Sequence, residues 1–352
     1  HRSPRARVTE FMQAIFSDIE KLRKLPKAEL HLHIEGTFEP ELIFELAAKN
    51  RVDLNYKSVE ELRQAYQFSD LQSFLNIYYA GMSVLKDEHD FEKLAESYFE
   101  RAAADGVVHA ELFFDPQAHT GRGIKFDTVI NGLHRACKNS ASKYSLTSAL
   151  ILCFLRDLDS ESAMATLEEA LKQKEKFIAV GLDSAEVGNP PSKFEKVFAR
   201  ARAEGLLTVA HAGEEGPPPY VWEALDLLKV SRIDHGVRSL EDEKLTKRLK
   251  AEEIPLTVCP LSNVKLKVFK DLKEHNLKKM LDLGLKATIN SDDPAYFGGY
   301  VLENYNQCRL ALSLSDEDLI QLAKNSITAS FLPENEKRKH LQVIENQFNL
   351  TT

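Results

Sequence analysis

From about residue 26 onward, short apolar runs alternate with longer stretches in which apolar residues recur every three or four positions. The short runs are Ala28–Ile34, Val107–Phe114, Ser148–Phe154, Phe177–Leu182, Leu206–Ala210, Arg232–His235, Ile254–Cys259 and Lys286–Asn290. Most are rich in Val, Ile, Leu, Phe or Thr and stop at a polar residue, Gly or Pro, which predicts buried parallel strands. Between them the spacing predicts helices over Asp90–Ala104, Phe126–Cys137, Ser160–Gln173, Ser192–Glu204, Tyr220–Leu228, Leu240–Glu252 and Leu272–Leu283. Eight strands alternating with helices form the pattern of a single (β/α)8 barrel of the TIM type.

Two stretches depart from a minimal barrel. About 70 residues separate the first strand from the second, far more than one crossover needs. That insert is itself helical in pattern, over Glu39–Asn50, Val59–Ala65 and Asp70–Leu85, and is expected to cap the barrel mouth. Glu303–Asn349 is helical as well and should complete the outer ring. Ahead of Pro26, the residues Val8, Phe11, Met12, Ile15, Ile19 and Leu22 predict a helix from Thr9 to Leu22. His1 to Arg7 carries three arginines and a proline without an apolar core, as an expression remnant or loose tail would.

A chain of 352 residues could hold two or three domains at roughly 100–200 residues each. It shows no low-complexity linker and no internal repeat, so residues 8–352 are expected to form one domain. With 43% hydrophobic and 28% charged residues, the composition excludes a mostly disordered chain. The balance of 46 basic against 54 acidic side chains gives −8, which argues against a nucleic-acid binder. No apolar run reaches the roughly 18 residues of a membrane span. Cys137, Cys153, Cys259 and Cys308 are scattered, as free thiols of a reducing compartment are, and a cytoplasmic location is expected.

The candidate chemistry lies at the strand ends. His31 and His33 are two apart in the first strand, so both imidazoles share one face near the carboxyl end. In a barrel that end carries the active site. An HxH pair alone is weak evidence for a metal, but other strands add to it. The fifth ends in TVAHAGEE, bringing His211 and Glu214; the sixth ends in RIDHG with His235; the eighth ends in KATINSDDP with Asp292 and Asp293. Imidazole and carboxylate ligands suit a first-row metal. The remaining histidines fit less well: His89 and His275 sit in polar runs and are expected to be solvated, and His109 begins the second strand at the wrong end. His119 in DPQAHT is a lesser candidate for a substrate loop. There is no G-x-S-x-G, H-E-x-x-H, P-loop or G-x-G-x-x-G motif. The fourth strand ends in GLDSAE with no lysine to bridge two metals, which favours one metal per chain.

The segments AELHLHIEG, VAHAGEE, IDHG and INSDDPAYF together resemble the adenosine/adenine deaminase family of zinc amidohydrolases, over about Leu25 to Asn325. LPKAELHLHIEG, VVHAELFFDPQAHT, LDSAEVGNPPSKF and NSDDPAYFGGY look most like its bacterial and fungal adenine deaminase branch. The resemblance implies one Zn2+ held by His31, His33, His211 and Asp292, with a water at the open position. It implies that Glu214 donates a proton to purine N1, that His235 orients the attacking water, and that Asp292 takes a proton from it. Asp293 would hydrogen-bond purine N7. The implied reaction converts adenine to hypoxanthine and ammonia, as in purine salvage, on a small-molecule base, with a homo-oligomer possible.

Base and nucleoside are separated by finer features. Where the adenosine branch has a glycine after the fourth strand, this chain has Glu186, in Asp183-Ser184-Ala185-Glu186. A carboxylate there could accept the N9–H of free adenine, a donor that ribose removes; alternatively Glu186 points away and pairs with Lys193. Ser184 belongs to the same substrate segment. Phe74, Leu75 and Tyr78, at helical spacing in the insert, could wall the purine pocket or form an ordinary core face. Deamination of adenosine or of N6-substituted adenines is the nearest alternative activity. Hydrolysis of another amide or amidine remains open on this scaffold, whereas a non-catalytic member would be expected to have a broken metal set.

Overall fold

The computed structural model describes residues 14–68 and 71–348. Eight strands run in chain order: β1 (Lys27–His33), β2 (Val107–Phe114), β3 (Thr147–Leu155), β4 (Ala179–Asp183), β5 (Leu207–Ala212), β6 (Arg232–His235), β7 (Leu256–Val258) and β8 (Ala287–Ile289). Each pairs in parallel with the next, in the order β1 to β8. The segment after β8 returns to β1 through a bridge between Leu32 and Asp292, so the sheet nearly closes into a (β/α)8 barrel. All seven residues of β1 are buried, because helices cover the outer face of a parallel barrel and side chains fill its inside.

Alternate residues of β2 to β5 point inward and form a small inner cluster of Phe113, Ile151, Cys153, Ala179 and Val209. The His31 and His33 rings rest on Phe113 at 5.0 and 5.1 Å, so the inner core is the floor of the site. Nearer the amino ends of the strands, Arg232 pairs with Glu111 at 2.6 Å, both fully buried. Glu111 also bonds His109 at 2.8 Å, so this histidine serves the barrel base, as its strand position predicts.

The insert after β1 is helical as expected, over Pro40–Asn50, Val59–Ala65 and Leu71–Ser83. Asp90 fastens it: its carboxylate takes Lys49 Nζ at 2.6 Å and Asn50 Nδ2 at 2.8 Å, while Asp87 and Asp90 form the capping box of helix Glu88–Ala104. Among the described residues no helix is long and apolar enough to cross a membrane. All four cysteines are free.

Three helix expectations need correction. The proposed Thr9–Leu22 helix lies partly outside the described residues; the described part has a short helix, Ile19–Arg23, capped by Asp18. Glu303–Asn349 is three helices, Val301–Ala311, Asp316–Thr328 and Glu334–Gln347, with Asn349 outside the described residues. The breaks fall where Ser313 turns left-handed and where Pro333 lacks an N–H. Leu272–Leu283 is interrupted as well: His275 Nδ1 accepts the Leu277 N–H at 3.0 Å and starts a new helix, Leu277–Asp282. His275 is buried, not solvated, because its ring packs 4.4 Å from Phe269 and both its nitrogens are used.

Candidate metal and catalytic site

His31, His33, His211, His235 and Asp292 converge at the carboxyl ends of the strands, all buried. The barrel closure sets the distances. His33 N–H donates to Asp292 O at 2.9 Å, and Asp292 N–H donates to His31 O at 3.1 Å. Asp292 Oδ1 then lies 3.4 Å from His31 Nε2 and 3.1 Å from His33 Nε2. The rings of His211 and His235 each stand 4.6 Å from that of His31. His235 and Asp292 have φ of +69° and +65°, left-handed values uncommon for residues with a side chain and found at functional sites.

Outer partners aim the imidazoles. His31 Nδ1 bonds Thr257, 3.0 Å from Oγ1, and that hydroxyl donates to Asp234 Oδ1 at 2.8 Å. Asp234 Oδ2 is 3.5 Å from His211 Nδ1, and Asp183 Oδ2 is 3.3 Å from His33 Nδ1. Ser262 Oγ donates to Asp292 Oδ2 at 2.7 Å. With Nδ1 turned to outer partners, Nε2 of His31 and His33 faces Asp292, the usual preparation of a metal-binding imidazole. Nε2 of His31 and of His235 and both ring nitrogens of His211 are buried with no hydrogen-bond partner. His31, His211, His235 and Asp292 each offer a ligand atom within 4.8 Å of the others, and His33 reaches the same Asp292 from a second group with Asp293. Buried orphan nitrogens around a shared carboxylate fit a first-row cation.

Charge is divided unequally among the carboxyls. Burial, then the neighbouring charges of Asp292 and Glu186, push the Glu214 carboxyl well above the usual range. Burial acts the same way on Asp292, yet His31, His33 and His235 overcome it and hold this carboxylate well below. Asp293 is raised, by burial and then by Asp292. The surroundings therefore favour a proton on Glu214 and a negative charge on Asp292, the division that an acid and a base need. Glu214 Oε2 lies 3.1 Å from His235 Nε2.

Glu186 is buried, and its carboxylate is committed to a loop. Oε2 accepts the N–H of Gly213 at 2.8 Å; Oε1 accepts those of Glu214, Glu215 and Gly216 at 3.1, 3.0 and 2.9 Å. Lys193 instead bonds Arg156 O at 2.8 Å. The pairing with Lys193 is not formed; Glu186 holds the backbone that carries Glu214. Ser184 is exposed at the end of β4 with φ +77°. Asp293 packs against Gly36, where any Cβ would lie 2.6 Å from Asp293 Cγ.

Phe74, Leu75 and Tyr78 are half-buried in the insert. Phe74 stacks among Phe68, Tyr78, Tyr296 and Phe297, at 4.9 to 5.7 Å. Tyr78 packs 6.0 Å from Tyr296, and burial, then the charges of Glu35, Asp115, Asp293 and Asp183, push its phenol well above the usual range. A groove of about 490 Å³ opens beside Glu214, lined by Val237, Arg238, Leu266, Phe269 and Asn276 among others and by none of the three insert residues. His119 lies in the short helix Pro116–Thr120 and is buried, with Nε2 3.5 Å from Glu35.

Sequence reasoning passed over Asp183, Asp234, Thr257, Ser262 and Asn263. A usable signal existed for the first two, since each is a carboxylate within one residue of a strand's carboxyl end, in GLDS and RIDHG. Thr257 and Asn263 carried none, being ordinary residues in a strand and a short helix.

The family model described as Adenosine deaminase matches residues 26–347. The adenine deaminase of Acinetobacter baylyi is 61% identical over 92% of this chain and 98% of its own. That of Sphingopyxis alaskensis is 60% identical over 91% of this chain and 94% of its own. The crystal structure of adenine deaminase from Arthrobacter aurescens superposes with a TM-score of 0.89 at 51% identity, covering 92% of this chain and 98% of that one. With the strand-end histidines and aspartates in place, this chain belongs to the adenosine deaminase family.

Proposed function

We propose that this chain is a zinc-dependent adenine deaminase that hydrolyses adenine to hypoxanthine and ammonia in purine salvage. The observation that carries this is the pair formed by Glu214, raised well above the carboxylate range, and Asp292, held well below it, on either side of His235. Relatives about 60% identical that bear the name adenine deaminase support the choice of substrate. His31, His33, His211 and Asp292 would hold one zinc ion. What zinc supplies when bound is a water activated for attack near neutral pH.

The residues perform the rest. The Glu214 carboxyl donates its proton to purine N1, which makes C6 more electrophilic. His235 orients the attacking water, and Asp292 accepts one of its protons. Asp293, protonated by its surroundings, donates to N7. As the oxygen bonds C6 the C6–N1 double bond opens; the proton held by Asp292 passes to N6, the C6–N6 bond breaks and N6 leaves as ammonia, and the remaining hydroxyl proton returns to Glu214, giving the 6-oxo purine. Buried and pre-placed, these groups need little reorganisation as charge develops.

Ammonia release from adenine, adenosine and N6-isopentenyladenine is the test, with zinc measured in the same preparation. Adenine should be turned over far faster than the other two, with about one zinc per chain. Equal turnover of adenosine overturns the base-specific reading, and active protein free of metal overturns the zinc site.

A further inference from the structure

His235 Nε2 is buried among Glu214, Asp292 and His31, where a bare nitrogen would be a metal ligand and an N–H would be a donor. A chain of hydrogen bonds running out of the site decides between them. Its far end is the backbone amide of Leu277, which can only donate. It donates to His275 Nδ1 at 3.0 Å, so that nitrogen carries no proton. His275 is buried and uncharged, its pKa pushed down to about 3 by burial, so its single ring proton sits on Nε2. That Nε2–H is 3.0 Å from Asn263 Oδ1 and donates to it. The Asn263 amide is thereby oriented, and its NH2 group, 3.3 Å away, faces His235 Nδ1. A nitrogen that accepts from Asn263 leaves the ring proton of neutral His235 on Nε2.

We propose that Asn263 and His275 are positioning residues that fix the tautomer of His235, so that its Nε2–H enters the site as a hydrogen-bond donor and not as a metal ligand. The chain explains how four buried histidines at one site divide their work. His31, His33 and His211 point Nδ1 at oxygen atoms and keep Nε2 bare; only His235 has a nitrogen-borne donor at Nδ1. It also fits the break at His275, where the ring takes the Leu277 N–H between the turn Leu272–Glu274 and the helix Leu277–Asp282. Only the use of the His235 N–H in deamination rests on the proposed function; the order of donors does not.

The test needs a readout independent of turnover. In zinc-loaded protein labelled with 15N-histidine, the His235 ring is assigned by its loss in His235→Gln. The wild type should show a protonated Nε2 and an unprotonated Nδ1. Asn263→Asp replaces the NH2 by an acceptor at nearly the same volume and should move the proton to Nδ1. His275→Phe keeps the ring but releases Asn263, and should mix the two tautomers; His275→Gln keeps a donor toward Asn263 and should restore the wild-type signal. Adenine kcat should fall about 10-fold to 100-fold in the Asp and Phe variants, with KM little changed, and recover in the Gln variant. An unprotonated Nε2 in the wild type overturns the proposal. So does an unaltered tautomer in Asn263→Asp and His275→Phe, or an altered tautomer with unchanged kcat. Absence of adenine turnover in the wild type, with the tautomers as expected, would fault the substrate and leave the relay standing.

Discussion

Glu186 Oε1 accepts the backbone N–H of Glu214 at 3.1 Å, so one carboxylate fixes the place of another. Glu186→Gln substitutes an NH2 group for one of two oxygens that together take four amides, and at least one buried N–H loses its acceptor. A loss of about 1–3 kcal/mol of stability is expected, with adenine kcat down by about tenfold or more. Denaturant unfolding and steady-state kinetics measure both. A selective gain of adenosine turnover would instead put Glu186 against purine N9.

Gly36 touches the Asp293 carboxylate so closely that any side chain must displace it. In Gly36→Ala, kcat/KM for adenine should fall while zinc content stays at about one per chain, because Asp293 is assigned to substrate and not to metal. Retained kcat/KM would show that Asp293 does not need its present position.

Asp183 bonds no substrate group in the proposed mechanism; it lies 3.3 Å from Nδ1 of His33, a proposed zinc ligand. Asp183→Asn should weaken zinc binding about 10-fold to 100-fold in a chelator competition. Activity should return at high zinc, which separates lost metal from lost chemistry.

His275 makes stability depend on pH. Unfolded, its imidazole takes up a proton below about pH 6.5; folded, it stays neutral down to about 3. As pH falls through that window the unfolded state binds more protons, and stability is lost by up to about 1.4 kcal/mol per pH unit. His275→Phe lacks this term. Its urea-unfolding free energy should start lower near pH 7 and decline less steeply toward pH 4, so that the two curves converge. Parallel curves would mean that His275 is not the group that titrates.

Much of the barrel was legible because its signal is local. Parallel strands buried on both faces are short apolar runs, and β2 and β6 fall where the pattern places them, at Val107–Phe114 and Arg232–His235. The ligand candidates were legible for the same reason: alternation puts His31 and His33 on one face, and fold class says which strand end matters. Helix ends were less legible. The break at His275 depends on a ring nitrogen capturing an amide two residues later, which no periodicity records.

The sequence by itself determined the fold class, the strand ends and the set of histidines and carboxylates found there. Only the tertiary structure decided what each one touches. Glu186, expected to meet a substrate N–H or Lys193, gives its carboxylate to four amides of the loop after β5. Four buried histidines are equivalent on paper. They differ because the atom opposite each Nδ1 differs: oxygen from Thr257, Asp183 and Asp234 in three cases, and nitrogen from Asn263 in the fourth. Those partners come from strands and loops far apart in the chain, so proton placement is a property of the closed barrel and not of any segment of sequence.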